Sequence, residues 1–80
     1  MMAAVYEFAD VEMLVERVYE LCGDDDKIVR NVYLDHKIDD LVDAFDEVEA
    51  GGKDEAWFGA EATTKLGKAL TAIVAELEEA

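Results

Sequence analysis

Carboxylates at helical spacing are the side chains in this sequence best arranged to do chemistry. Acids recur every three or four residues through the centre of the chain, at Asp35, Asp39, Asp43, Asp46 and Glu47. Residues four apart lie above one another on a helix, where like charges repel by roughly 0.2–0.5 kcal/mol per pair. The repetition concentrates negative charge along one line. It indicates either a surface for a positively charged partner or a solvated face.

Metal and thiol chemistry have weaker support. His36 lies within one helical turn of Asp39 and Asp40, but a zinc site needs three or four protein ligands, and this is the single histidine. We therefore interpret His36 as a surface residue. Cys22 falls on an apolar line of its helix, as core cysteines commonly do. Nearby carboxylates would raise the pKa of its thiol, which disfavours a nucleophilic role.

Motifs for catalysis and cofactor binding do not occur in the sequence. The acidic run Asp24–Asp26 lacks the alternating ligands and the glycine of a calcium loop. The chain has no P-loop, no dinucleotide fingerprint and no paired-cysteine motif. The chain also has no serine, which excludes a serine nucleophile and the attachment site that acyl carrier proteins require. We expect no enzymatic activity, no metal and no cofactor.

Composition limits the class of protein. The chain has 80 residues, with 21 Asp and Glu against 7 Lys and Arg, for a net charge of −14. At 52% hydrophobic it is too apolar to be disordered, and we expect residues 1–80 to form one domain. Its charge disfavours direct binding to nucleic acid or to an anionic membrane. With no visible signal peptide or membrane-spanning run, we expect a cytoplasmic protein.

Apolar residues recur with helical period in three segments. The three apolar lines are Val11, Leu14, Val15, Val18, Leu21 and Cys22; then Leu34, Ile38, Leu41, Phe45 and Val48; then Thr63, Leu66, Leu70, Ile73 and Leu77. They predict helices over about 8–22, from the acidic run to about 49, and from about 55 to the C-terminus. Nothing in residues 1–7 forbids an earlier start. No strand pattern occurs, so we predict an all-α fold, an antiparallel bundle of three helices.

Two positions are candidates for dividing these helices. The second apolar line does not continue upstream, because Lys27 and Asn31 occupy the positions that would extend it. A break between Tyr33 and Lys37 would explain this. Gly59 is the second candidate, since it would separate a short helix from the last one. Either break would give four helices.

Helix ends have their own signals. Gly23 is placed to end the first helix, and Gly51 with Gly52 marks the turn before the last one. The run Asp24–Asp26 and Asp54 are expected to cap the helices that follow them.

Trp57 and a row of small residues indicate possible contacts with a partner. Trp57 and Phe58 are adjacent, so on a helix they point about 100° apart and cannot both be buried easily. An exposed Trp57 would suit a binding interface; the alternative is a tryptophan that covers the end of the core. Gly59, Thr63, Gly67 and Thr71 form a small-residue row at four-residue spacing. This row could admit another helix, so a homodimer is possible.

In charge and length the chain resembles the small acidic inhibitors that phages use against host defence, such as anti-restriction and anti-CRISPR proteins. It is similar to colicin-type immunity proteins in the same respects. Carboxylates at ~6 Å intervals along a helix would imitate the phosphates of nucleic acid in a basic groove. The hypothetical partner is a basic nucleic-acid-binding protein, in the host cytoplasm if the chain is phage-encoded. The predicted binding residues are Asp35, Asp39, Asp43, Asp46, Glu47 and Trp57.

Other interpretations of the acidity remain open at this stage. The chain could be an acidic module for protein assembly or an obligate homodimer. It could also come from a salt-adapted organism, although Lys outnumbers Arg five to two, which counts mildly against strong salt adaptation.

Overall fold

Five helices make up the structure of residues 6–79. The structure, a computed structural model, describes residues 6–79, and no strand occurs among them. The helices are Phe8–Leu21 (α1), Asp26–Asp35 (α2), Asp39–Glu49 (α3), Glu55–Phe58 (α4) and Ala60–Glu79 (α5). The all-α prediction is confirmed. Both candidate breaks occur, so the helices are shorter and more numerous than the three or four predicted. The expectation that the first helix could begin earlier concerns residues 1–5, which lie outside the described residues.

Glycines end two helices where the sequence predicts. At the end of α1, Gly23 has a φ of 70° and the Asp24 N–H donates to the Tyr19 carbonyl at 2.8 Å. At the end of α3, Gly51 has a φ of 85° and the Gly52 N–H donates to the Glu47 carbonyl at 2.9 Å. These bonds satisfy carbonyls that the helix leaves free and form the Schellman turn.

The same turn ends α2 without a glycine. Lys37 has a φ of 59°, and the Ile38 N–H donates to the Tyr33 carbonyl at 3.0 Å. Ile38 and Tyr33 are both buried, which supplies the apolar contact that usually accompanies this turn. The break therefore lies where the sequence places it. It also corrects the second apolar line: Leu34 belongs to α2 and is 47% exposed, since the line cannot continue across the turn.

Acidic caps begin the helices as expected. The Asp25 carboxylate accepts hydrogen bonds from the Lys27 and Ile28 N–H groups, at 2.9 and 3.2 Å. The Asp54 carboxylate accepts one from the Trp57 N–H at 2.8 Å. Each carboxylate satisfies free N–H groups at the positive end of its helix.

The longest helices, α1 and α5, form the most extensive helix–helix contact. Tyr6 contacts Thr71 and Arg17 contacts Glu78, so the two helices run in the same direction. Both apolar lines are confirmed in part, because Leu14, Val15, Leu21 and Leu77 are only partly buried. From α1, Val11 and Val18 are fully buried and Cys22 nearly so. From α5 the buried residues are Thr63, Leu66, Gly67, Leu70 and Ile73.

An aromatic cluster attaches α3 and α4 to this pair. The Phe8 ring stacks on the Phe45 ring at 4.4 Å between centroids, and Phe58 meets Phe45 edge-on at 5.8 Å. On α3 the buried residues are Val42 and Phe45, with Ile38 just before the helix, whereas Leu41 is half-buried. The principal axes measure 36 × 34 × 19 Å, about two helix layers thick.

The small-residue row of α5 is occupied from within the chain. A Cβ added at Gly67 would overlap the Tyr6 ring, and the Tyr6 hydroxyl lies 2.9 Å from Thr71 Oγ1. The close approach that the row permits is therefore made by Tyr6, two residues before α1. Gly59 has a different role. It lies between the end of α4 and the start of α5, and its φ of 88° allows the chain to turn there.

Candidate functional site

The surface of α3 carries the strongest concentration of charge. The helix has the sequence DDLVDAFDEVE, with six acids and no Lys or Arg. Four of these acids form what we call the acidic face, namely Asp39, Asp43, Asp46 and Glu47. Asp39, Asp43 and Glu47 follow one another at four-residue spacing, so they rise by about 6 Å per step and about 12 Å in all. Apart from the half-buried Asp39, these residues are exposed.

Asp35 is separated from the acidic face. It is the last residue of α2 and is exposed, and the turn through Lys37 lies between it and Asp39. The single continuous line of acids expected from Asp35 onward is therefore wrong. The α2 carboxylate is displaced because the chain changes direction at the left-handed residue.

One member of the acidic face has a basic partner. Arg30 Nη1 on α2 lies 3.1 Å from Asp43 Oδ1. Both side chains are half-exposed, so solvent screens their attraction. Among residues 6–79, this is the one ion pair made by the acidic face. Asp39, Asp46 and Glu47 therefore carry charge that the rest of the described chain does not pair.

Asp46 differs from the other acids because it also borders a cleft between α1, α2 and α3. Partial burial raises the pKa of its carboxyl, and the charge of Asp43 raises it further, while Arg30 lowers it. A carboxylate that is partly desolvated beside a like charge gains from a positively charged partner.

A second acidic contact joins α1 to the end of α3. Desolvation raises the pKa of Glu49 to about 7, with further contributions from a hydrogen bond to Glu12 and from the charges of Glu12, Asp46 and Glu16. Glu12 and Glu16 of α1 therefore lie close to acids of α3. This proximity makes the fold sensitive to pH.

Trp57 is exposed, as a binding residue would be, but it does not lie on the helix that carries the acidic face. It lies on the four-residue helix α4 and is 50% exposed, while its neighbour Phe58 is buried. Lys53 Nζ lies 5.4 Å from the centroid of the Trp57 ring, a cation–π distance. The aromatic face thus already has a cation against it from the same chain.

The surroundings of His36 and Cys22 are those of residues that support the fold. His36 Nε2 lies 3.0 Å from Glu76 Oε2, which connects the α2–α3 turn to the end of α5. Cys22 is buried, and desolvation, aided by the charge of Asp25, raises the pKa of its thiol. Within residues 6–79, no group of three or more His, Cys, Asp or Glu is arranged to hold a metal ion.

Acids also occupy unfavourable positions in the helices. No described helix has a basic residue in its last turn, and α3 ends in Glu47 and Glu49. The C-terminal end of a helix is negative, so each carboxylate there costs about 0.3–1 kcal/mol at low ionic strength. The acids in the last turn of α3 therefore do not stabilise the helix, whereas Asp39 and Asp40 in its first turn do.

The cleft beside Asp46 was not predicted from the sequence. It is lined by apolar side chains, by Tyr19 and Tyr33, and by the charged residues Asp26, Lys27, Arg30 and Asp46. Tyr33 falls between apolar positions and carries no sequence signal that distinguishes it from a core tyrosine. The cleft forms only when three helices converge.

Comparisons with known proteins give no family for this chain. Within residues 6–79, no helix is long and apolar enough to cross a membrane. No protein-family model, curated protein or solved structure matches the chain.

Proposed function

We propose that this protein is a small acidic binding protein that inhibits a nucleic-acid-binding protein by occupying its basic groove. The observation that carries the proposal is the acidic face of α3. The helix that bears this face has six acids and no Lys or Arg, and among residues 6–79 the face makes one ion pair, Asp43 to Arg30. Asp39, Asp46 and Glu47 have no ion-pair partner among residues 6–79, and such unpaired charge suits a positively charged surface on another molecule.

The length of the acidic face sets the scale of the contact. Asp39 to Glu47 spans about 12 Å along α3, so the face imitates a few phosphates rather than a long duplex. Asp35 adds a carboxylate beyond the turn, and Trp57 offers a half-exposed aromatic ring on α4. We infer that the protein blocks a local part of the groove. In this proposal it acts as an inhibitor of the same kind as the phage anti-restriction and anti-CRISPR proteins that it resembles in charge and length. The compartment of such targets is the cytoplasm.

A competition experiment tests this function. The protein is immobilised and used to capture partners from a bacterial extract at low and at high salt. A captured protein that binds nucleic acid, is released by salt and is displaced by duplex DNA or RNA supports the proposal. Partners that stay bound in high salt and in excess nucleic acid would contradict it.

The second candidate function is an assembly module, including a homodimer. Large apolar side chains are exposed on three helices, at Met13, Ile28, Leu34 and Trp57. The small-residue row does not favour this candidate, since the Tyr6 ring occupies the space beside Gly67. Light scattering over a range of protein concentrations distinguishes the two functions. A dimer mass that persists on dilution favours assembly, and a monomer mass favours the inhibitor.

A further inference from the structure

The outer surface of α1 carries a shallow groove of about 660 Å³, which we call the α1 groove. Its apolar lining comes from four side chains of this helix, Met13, Leu14, Val15 and Tyr19. Met13 is 69% exposed, so the fold of residues 6–79 leaves this large apolar side chain in water. Methionine is flexible and packs against apolar surfaces of varied shape, and it is frequent at protein-binding surfaces. The α1 groove therefore offers an apolar contact to another molecule.

The charged residues of the α1 groove are mainly acids. Glu16, Glu20 and Asp24 line it, against one base, Arg17. Arg17 is already engaged, because its Nη2 lies 2.8 Å from Glu78 Oε2 on α5 and its Nη1 lies 3.7 Å from Glu20 Oε1. Glu16 and Asp24 have no ion-pair partner among residues 6–79. The groove therefore has an apolar lining and an excess of unpaired negative charge.

The backbone of α1 increases this negative potential. Glu20 lies in the last turn of the helix and Asp24 just beyond it, where the helix end carries a partial negative charge. The last turn of α1 contains no basic residue that would offset this charge. Positively charged side chains of another molecule are therefore favoured at this end of the groove, beside the apolar lining.

These features select one kind of occupant. A second copy of this chain would bring its own net charge of −14, and two α1 grooves face to face would place acids against acids. Like charges across an interface are unfavourable. An amphipathic helix with basic residues beside its apolar stripe complements both the apolar lining and the acids.

We propose that the α1 groove docks an amphipathic helix of a partner protein. The apolar stripe of that helix lies against Met13 and its neighbours on α1, and its Lys or Arg side chains lie against Glu16, Glu20 and Asp24. The α1 groove and the acidic face of α3 have no residue in common, so this docking does not depend on the proposed groove-blocking function.

A designed peptide is the probe. It has about 18 residues, with leucines at i, i+3, i+4 and i+7 spacing and lysines on both sides of this stripe. Amide chemical shifts measured by NMR report where it binds, and we expect saturable shifts at residues 13–24. A scrambled peptide of the same composition and a peptide with glutamates in place of the lysines should each bind at least about tenfold more weakly. Equal binding of the scrambled peptide, or shifts confined to α3, would overturn the proposal.

A substitution at Met13 tests the apolar contact. Met13→Gln should weaken binding of the probe about tenfold. Leu34→Gln is the matched control, because Leu34 is an exposed apolar residue of α2 outside the groove, and it should leave the affinity within about twofold. Circular dichroism verifies that both variants are folded. A folded Met13→Gln variant that binds as the parent does would contradict the proposal, and so would a dimer of the parent that Met13→Gln dissociates.

A double substitution tests the acids. Glu20→Gln/Asp24→Asn should weaken binding about fivefold, and asparagine tolerates the φ of 58° at position 24. Asp39→Asn/Glu47→Gln removes the same charge from the acidic face of α3 and should leave the affinity within about twofold. Equal losses from the two double variants would show that the probe responds to net charge alone, and the proposal would be wrong.

Discussion

Arg30 Nη1 lies 3.1 Å from Asp43 Oδ1, and this contact joins α2 to the acidic face of α3. Because both side chains are half-exposed, the pair contributes only about 0–1 kcal/mol to stability. Its larger effect is on the electrostatic potential of the acidic face, since Arg30 offsets one of the negative charges that a basic partner would meet.

Removing Arg30 should strengthen binding to a basic chain while changing stability little. We expect Arg30→Gln to bind a short polylysine peptide about two- to fivefold more tightly than the parent, equivalent to ~0.4–1 kcal/mol. Arg17→Gln is the matched control, because Arg17 pairs with Glu78 of α5, at 2.8 Å, and with no residue of the acidic face. Calorimetry measures both affinities. Equal gains from the two variants would show that only net charge matters.

The turn after α2 offers a test of backbone strain. Lys37 has a φ of 59°, a left-handed conformation that costs a residue with a Cβ about 1–2 kcal/mol. Lys37→Gly should therefore stabilise the protein by about 0.5–1 kcal/mol, after allowance for the greater entropy of glycine in the unfolded chain. Lys37→Ala removes the same charge and keeps the strain. Denaturant unfolding should rank the glycine variant above the alanine variant, and the reverse order would contradict the Schellman turn.

Alanine substitutions distinguish the buried positions of the second apolar line from its exposed positions. Phe45 is fully buried between Phe8 and Phe58, so Phe45→Ala should cost about 3–5 kcal/mol. Leu34 is 47% exposed, so Leu34→Ala should cost less than about 1 kcal/mol. Thermal melting by circular dichroism compares them. Similar losses at the two positions would mean that α2 and α3 pack as one continuous helix.

Glu49 gives the stability a definite dependence on pH. The pKa of its carboxyl is about 7 in the fold, against an ordinary value of 4.5. The folded state therefore holds the proton more tightly, so this contribution is fully present below pH 4.5 and is lost as the pH rises through about 7. The melting temperature should fall between about pH 5 and 8. Glu49→Gln should reduce this fall, and so should Glu12→Gln, which removes the neighbouring acid. An unchanged pH dependence in Glu49→Gln would contradict the α1–α3 contact.

Local signals in the sequence predict much of this fold. Gly23, Gly51, Asp25 and Asp54 act at helix ends as their residue types predict, since capping depends on a few adjacent groups. The residue type of Lys37 does not predict its left-handed conformation, because glycine is the usual residue in that conformation. The sequence therefore limits the break to residues 33–37 without establishing that it occurs.

The candidate sites were less predictable because they depend on contacts distant in sequence. The acids of α3 were found from their spacing, but the pairing of Asp43 with Arg30 requires α2 to fold back on α3. The filling of the Gly67 row by Tyr6 joins residues 61 positions apart. The cleft at Tyr33 likewise needs three helices together. Periodicity identifies the faces of a helix but not the element that covers each face.

The central claim is that the acidic face of α3 binds a basic groove, and the rate of association with the captured partner tests it most directly. The variant Asp39→Lys/Glu47→Lys reverses two charges on the face. Its control, Glu61→Lys/Glu79→Lys, makes the same change on exposed positions of α5. We predict that the α3 variant associates about tenfold more slowly and with a flatter salt dependence, while the α5 variant stays close to the parent. Equal rates and equal salt dependence for the two variants would contradict the claim.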